Sequence, residues 1–245
     1  MNCEAVRLTG LNLRLGKKHV LNNIDLVFSP GEVVGIIGPG GSGKTQLFKV
    51  ISTLRRARGT VEVGGTRVRW TQRRTVRQAR SQIGLQFQNF ALFDYLDVWH
   101  NVAFPLQQGR LAEPEEISKA VGAALTAVGL ESARQSYPSE LSGGMRRRVA
   151  IARVMAAQPP VAIFDDPVAG LDPINSAKIM QLLSRFAHDT GALVLIATHD
   201  LERLLPVTDR VVAMFGGKVC FDGTTKTLFD AEDKRVLDFV RAAHG

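Results

Sequence analysis

The chain has 245 residues, 45% of them hydrophobic, and carries a formal net charge of +8. That length buries a sizeable core, as one large domain or as a domain with an insertion. Runs such as VVGII and ALVLIA fall far short of the roughly 20 apolar residues of a membrane span. The start, MNCEAVRLTG, has no secretory pattern, and two cysteines without metal-like spacing point to free thiols in a reducing cytoplasm.

In chain order, the first elements are extended. VRLTGLNLRL (6–15) and VLNNIDLVF (20–28) alternate or cluster their apolar residues like antiparallel strands. VVGII (33–37) is a short β-rich run of the kind buried on both faces. It leads into GPGGSGKT (38–45), a full match to G-x-x-x-x-G-K-[ST], and then into the helix-like TQLFKVIST. In this loop Gly38, Gly40, Gly41 and Gly43, with Pro39 and Ser42 between them, let the backbone curl so that its N–H groups face phosphate oxygens. Lys44 is expected to reach the β- and γ-phosphates, and the Thr45 hydroxyl to ligate Mg²⁺.

VEVGGTRVRW (61–70) reads as a hairpin around Gly64-Gly65. It lies in a basic stretch, Arg55 to Arg80, where nine arginines face the single acid Glu62. A solvated hairpin and loop is the first reading of that charge. An anionic lipid surface is the second. Nucleic acid ranks third, because no recognised binding module accompanies the arginines.

From about 89 to 158 helix-like segments dominate, as in EEISKAVGAALTAVGL and GMRRRVAIARVMAA, and read as a helical subdomain inserted into an α/β core. VAIFD (161–165) then restores the strand pattern and ends in Asp165, which can hold Mg²⁺ and so offset the cost of burying a carboxylate. Asp172 and Pro173 form an N-cap and first position for a helix in which Ile179, Leu182, Leu183 and Phe186 recur at helical spacing. ALVLIA (192–197) and VVAMF (211–215) complete a set of strands that pair in parallel through crossover helices. His199 follows ALVLIA, at the carboxyl end of a central strand, where such sheets bind ligands.

Over nearly its whole length the chain resembles the ATP-binding subunits of ABC transporters. LSGGM (141–145) is similar to the signature motif, Gln88 in GLQFQ to the Q-loop glutamine, AGLD (169–172) to the D-loop and His199 in ATHD to the H-loop histidine. The resemblance implies an α/β P-loop NTPase (RecA-like) core at 1–88 and 159–228, with an N-terminal antiparallel β-region. It further implies a helical signature subdomain at 89–158 and a C-terminal helix at 229–245. The implied cofactors are ATP and Mg²⁺, with the metal at Thr45, Gln88 and Asp165, and with Asp166, His199 and Gln88 acting in hydrolysis.

Assembly follows from the same resemblance. Ser142, Gly143 and Gly144 open a helix and form a second anion-binding nest, which in the family closes over ATP bound to another copy. A homodimer is therefore expected, with Asp172 touching the opposing subunit. Integral membrane permease subunits are implied as partners, on the cytoplasmic face of the membrane. Phe87, Phe90, Phe93, Tyr95, Trp99 and Phe104 are either the small core of the helical subdomain or a cleft that receives a helix of the membrane partner.

Two positions depart from the pattern. Asp166 stands where most of the family carries a general-base glutamate, so it loses about 1.5 Å of reach and a slow enzyme is expected. On strand alternation, Asp165 and Asp166 should point to opposite faces, so neither replaces the other. Leu15 stands where an aromatic commonly stacks on adenine, which leaves GTP tolerance open.

The aromatic stretch, Met145 and the tail AEDKRVLDFVRA resemble the Mla/Mce-type lipid-transport branch, so phospholipid or other hydrophobic cargo and a lipid-binding partner are expected. Phe229, Val236, Leu237 and Val240 give that tail an apolar stripe at helical spacing. Polar amino-acid importers are the competing branch, although their signature continues with glutamines rather than Met145-Arg146. A cytosolic ATPase acting on nucleic acid is disfavoured, since the chain has neither a second cassette nor a long coiled-coil insertion. A slow-hydrolysing, nucleotide-gated dimerising scaffold stays open because of Asp166.

Overall fold

The computed structural model describes residues 4–87, 90–108 and 113–242. Strands β1 (Val6–Leu15) and β2 (Lys18–Phe28) pair antiparallel. Strand β3 (Val33–Ile37) runs through the glycine loop into α1 (Lys44–Ile51). Strands β4 (Arg58–Val63) and β5 (Thr66–Arg67) form a short hairpin, followed by α2 (Arg73–Arg80) and β6 (Ile83–Gln86). Helices α3 (Val98–Gln108), α4 (Pro114–Ala127) and α5 (Gly143–Ala157) come next. The chain then alternates through β7 (Val161–Asp165), α6 (Pro173–Thr190), β8 (Leu193–Ala197) and α7 (Leu201–Leu204). It closes with β9 (Arg210–Phe215), β10 (Lys218–Thr224) and α8 (Lys234–Ala242).

Two sheets result. One is antiparallel, in the order β2-β1-β4-β5; the other has six strands in the order β10-β9-β3-β8-β7-β6, parallel except for β10. Side-chain alternation explains why the second sheet is covered on both faces. Val34 and Ile36 of β3, Ile163 of β7 and Leu193 and Leu195 of β8 enter the core shared with α1 and the antiparallel sheet. Their neighbours Val33, Ile37, Ala162, Phe164, Val194 and Ile196 enter the core shared with α6 and the helical lobe. The sheet thus lies between two cores, and its carboxyl ends open at one edge.

Helices α3, α4 and α5 pack on one another through Val98, Val102, Val121, Leu125 and Val149. This lobe core is aliphatic rather than aromatic. Phe93 packs on Phe104, with ring centroids 4.5 Å apart, but neither ring is fully buried, and Tyr95 is 74% exposed. Of the two readings offered by the aromatics, the small core therefore belongs to the valines and leucines, which fill it without leaving a polar edge to satisfy.

Two local expectations are corrected. The basic stretch is more than hairpin and loop, because residues 73–80 form α2, which buries Ala79 while its arginines stay exposed. Nor is Arg80 simply solvated, for its guanidinium donates to the Thr53 carbonyl at 3.0 Å. The tail stripe does not run through one helix either. Leu228–Asp230 is a 3₁₀ turn and α8 begins at Lys234, so Phe229 lies off the face on which Val236 and Val240 are buried. Asp233 accepts from the Arg235 amide at 2.9 Å and so turns the chain into α8. Cys220 carries a free thiol, while Cys3 lies outside the described residues.

Candidate functional site

The glycine loop closes against β2 and β9, and two of its glycines allow no side chain. Gly38 has φ +138°, and a Cβ there would lie 2.1 Å from the Met214 carbonyl oxygen. Gly43 has φ +111°, with the Val20 carbonyl oxygen 2.8 Å from the corresponding point. Both values are far inside contact distance and in a backbone region that glycine alone visits readily. Gly40 and Gly41 face open space instead, so at that point the loop presents bare backbone outward. Gly43 precedes α1 without a side-chain cap, which leaves the first N–H groups of the helix directed at the loop.

Lys44 is buried beneath this arch. Its Nζ donates to the carbonyls of Gly38 at 2.6 Å and Pro39 at 3.1 Å. Burial pushes its pKa down, and the carboxylates Asp165 and Asp166 oppose that shift. Ser42 Oγ and Gln46 Oε1 are buried beside it without a hydrogen-bond partner. Unspent polar atoms inside a closed loop mark a place built for a ligand.

Asp165 ends β7 and is only 7% exposed. Burial pushes its carboxyl pKa up; the Thr45 hydroxyl pulls it down, Asp166 raises it and Lys44 lowers it. A carboxylate that burial disfavours, facing a hydroxyl, suits an ion that takes few protein ligands and keeps waters and phosphate oxygens. That is the behaviour of Mg²⁺. Among the described residues no group of three or more His, Cys, Asp or Glu could form an all-protein cage.

The raised pKa predicts a measurable sign. At neutral pH the charged Asp165 costs the ligand-free fold stability, and the cost disappears as pH falls below the carboxylate range. Asp165→Asn is therefore expected to raise the melting midpoint of the ligand-free protein at pH 7, by about 2–4 °C per kcal/mol relieved. The same substitution is expected to abolish stabilisation by ATP with Mg²⁺. A lower midpoint in differential scanning calorimetry would contradict the first part.

Asp166 breaks with the expected alternation. The strand ends at Asp165, and Asp166 turns away with φ +56° while its amide donates to the Ala197 carbonyl at 2.7 Å. Both carboxylates consequently line one cavity of about 440 Å³ rather than opposite faces of the sheet. Asp166 Oδ1 accepts from the hydroxyl of Thr198 at 3.1 Å, and the same hydroxyl accepts from the Asp200 amide at 3.2 Å. Thr198 is thus the buried link that orients Asp166 and shapes the turn carrying His199. Sequence reasoning missed it, and its only signal was its place between the strand and the histidine.

His199 is exposed at the rim of the same cavity, and Leu15, Lys18 and Val20 form its far end. Gln88 lies outside the described residues. The helix-opening turn goes elsewhere. Ser142 caps α5, its hydroxyl accepting from the Met145 amide at 3.2 Å. With Gly143 and Gly144 it lines a second cavity of about 700 Å³, bounded across by Ala169 to Asp172, that shares no residue with the first. Asp172 caps α6 by accepting from the Asn175 amide at 3.0 Å, which holds its carboxyl below the usual range. Within one chain, the signature-like turn and the glycine loop do not meet.

Residues 21–169 match the family model described as ABC transporter. The intermembrane phospholipid transport system ATP-binding protein MlaF of Haemophilus influenzae is 33% identical over 242 residues, spanning 98% of this chain and 92% of that one. The L-cystine transport system ATP-binding protein TcyN of Escherichia coli is 36% identical over 248 residues, spanning 97% of each. The methionine import ATP-binding protein MetN of Carboxydothermus hydrogenoformans is 38% identical over 217 residues, but the match spans only 64% of its length. Among solved structures, a dimeric post-hydrolysis state of the ATP-binding cassette MJ0796 with ADP and Pi superposes with a TM-score of 0.83. It is 31% identical, and the match covers 90% of this chain and 98% of that one. CbiO1 of Clostridium perfringens, part of the transporter complex cbiONQ, has a TM-score of 0.82 at 32% identity and 98% coverage of both chains.

Proposed function

The chain belongs to the ABC transporter family as an ATP-binding subunit, and from that premise we propose that it hydrolyses ATP to drive phospholipid or other hydrophobic cargo through separate membrane subunits. The observation that carries the chemistry is the convergence of Lys44, Thr45, Asp165, Asp166 and His199 on one cavity. Gly38 to Thr45 cradle the phosphates, and Lys44 exchanges its loop carbonyls for β- and γ-phosphate oxygens. Thr45 and Asp165, with Gln88, hold Mg²⁺, which when bound supplies neutralisation of phosphate charge. Asp166 accepts the proton of the attacking water, and His199 positions that water against the γ-phosphate. Asp166 is one carbon short of the family's glutamate, so turnover is slow.

The separation of the two cavities supports a head-to-tail homodimer. Ser142, Gly143 and Gly144 of one copy close over the phosphates held by the other, with Asp172 at the contact. The core comprises 1–88 and 159–228, the signature subdomain 89–158, and the tail 229–245. No described helix is long and apolar enough to cross a membrane; similarity to CbiO1, part of a transporter complex, supports a peripheral place on integral permease subunits at the cytoplasmic face. The half-buried aromatics Phe87, Phe93 and Phe104 with exposed Tyr95 form the cleft that receives a helix of the membrane subunit.

Lipid cargo rests on Met145 after the signature glycines and on the full-length similarity to MlaF. Polar amino-acid import is the second reading, supported by similarity to TcyN and MetN. Isolation of the intact complex from native membranes decides between them. Co-purifying phospholipid is expected, and bound amino acid with a soluble binding protein would overturn the lipid reading. Leu15 offers a separate check on the base. Leu15→Tyr is expected to tighten ATP binding about two- to tenfold, the worth of one aromatic stack, as measured by fluorescent-nucleotide titration.

A further inference from the structure

Helix α2 carries Arg73, Arg74, Arg77 and Arg80, and Arg69 lies in the turn before it. No acidic residue occurs between Glu62 and Asp94. The helix is fixed from within. Ala79 is buried, Val76 packs on the core shared with α1 and the antiparallel sheet, and Arg80 donates to Thr53 Oγ1 at 3.2 Å besides the Thr53 carbonyl. The Thr75 hydroxyl accepts from the Arg69 amide at 3.0 Å, which ties the preceding turn to the same body.

The outer face is left to the other arginines. At 3.6 residues per turn, Arg73, Arg74 and Arg77 fall within about 100° of arc, on the side opposite Ala79. Each is exposed, and among the described residues none of the three, nor Arg69, forms an ion pair or a side-chain hydrogen bond. Arg73 and Arg74 also stand in the first turn, where the helix dipole disfavours cations, and no acid offsets them there. Local stability therefore does not account for the arrangement. Apolar groups flank the face. Trp70 is half-buried at the amino end of α2, and Leu54, next to the Thr53 that Arg80 grips, is 47% exposed. Strand β6, roughly 13 Å long, then leads to Phe87 of the aromatic cleft.

We propose that the outer face of α2, with Arg69, docks directly on anionic phospholipid headgroups beside the permease subunits. This rests on the peripheral membrane place proposed above, but needs neither ATP hydrolysis nor a particular cargo. Guanidinium donors match phosphate oxygens in pairs, and each basic residue near an anionic surface strengthens binding about fivefold. Leu54 and Trp70 suit a lipid surface, whose boundary layer accepts apolar and aromatic side chains. The phosphates of a nucleic-acid duplex would use the arginines alone.

Co-sedimentation of the full chain with vesicles, at about 0.1 M salt, tests this. Wild type is expected to bind phosphatidylcholine vesicles that contain phosphatidylglycerol and to ignore pure phosphatidylcholine. Arg73→Gln/Arg74→Gln/Arg77→Gln is expected to weaken that binding about a hundredfold, at roughly fivefold per arginine. A net charge of +8 draws the whole chain toward any anionic surface, so a control must remove equal charge elsewhere. Arg185→Gln/Lys226→Gln/Arg241→Gln, all at exposed positions, is expected to lose less than about fivefold. Equal losses in the two triples, no binding by wild type, or tighter binding of the α2 face to a short DNA duplex than to the vesicles overturns the proposal. Glutamine matches arginine in helix propensity, so the fold should hold, and a melting curve checks it. Should the α2 triple not fold, Arg74→Gln against Arg185→Gln carries the same comparison at about fivefold. Phosphate release should stay within about twofold of wild type in both triples, so lost lipid binding with intact activity separates this contact from the ATPase reading. A chain that binds vesicles but is found without permease subunits in native membranes marks failure of the reading above, not of this contact.

Discussion

Lys44→Ala is expected to lower steady-state phosphate release by about 10²–10³, the loss typical of removing one preorganised donor to developing charge. The structure explains why this side chain is preorganised. Lys44 is held beneath the loop by the Gly38 and Pro39 carbonyls, and Asp165 and Asp166 favour its charged form against the effect of burial. Its ammonium therefore waits in place for phosphate oxygens. Because the group removed is a buried cation with only carbonyl partners, the fold should not weaken by more than a few degrees. Phosphate release with a parallel melting curve checks both halves. A rate equal to wild type would sink the hydrolytic reading, and a collapsed melting curve would show that the lysine is structural.

Asp166→Glu is expected to act in the opposite direction, raising kcat about ten- to a hundredfold. An error of about 1 Å in the position of a catalytic group costs roughly a hundredfold, and a positioned base contributes about 10²–10⁴. The fold adds a cost to this gain. Asp166 sits at φ +56°, a conformation that aspartate tolerates better than glutamate, so the faster variant should lose about 1 kcal/mol of stability. The Thr198 hydroxyl must also find a new geometry for its bond to the carboxylate. Unchanged or reduced turnover would mean that the bend after β7 already brings the shorter side chain within reach. Slow hydrolysis would then no longer follow from the missing methylene.

Much of this was legible in the residues. GPGGSGKT followed by a helical pattern predicts a phosphate loop, because glycine spacing and a charged lysine are local requirements of the chemistry. The strands VVGII, VAIFD, ALVLIA and VVAMF were legible for a similar reason, since residues buried on both faces leave an unbroken apolar run. The Asp172-Pro173 cap also appears as expected. The basic stretch was only half legible: its exposed arginines give no period, and the single buried Ala79 is too weak a signal for a helix.

Other features depended on neighbours far away in the chain. Strand alternation separated Asp165 from Asp166, yet the pattern cannot reveal that the strand stops between them and that Ala197 captures the Asp166 amide. Thr198 looked like an ordinary residue until packing set it against a carboxylate. Composition and spacing determined the phosphate loop and the parallel strands, because backbone chemistry and periodicity act over a few residues, while the family was legible only through the resemblance of the motifs to known ones. The tertiary structure alone decided that both aspartates share one cavity and that the signature turn opens on another. Those placements follow from sheet register and from the packing of α5, α6 and β7, which no short stretch of sequence encodes.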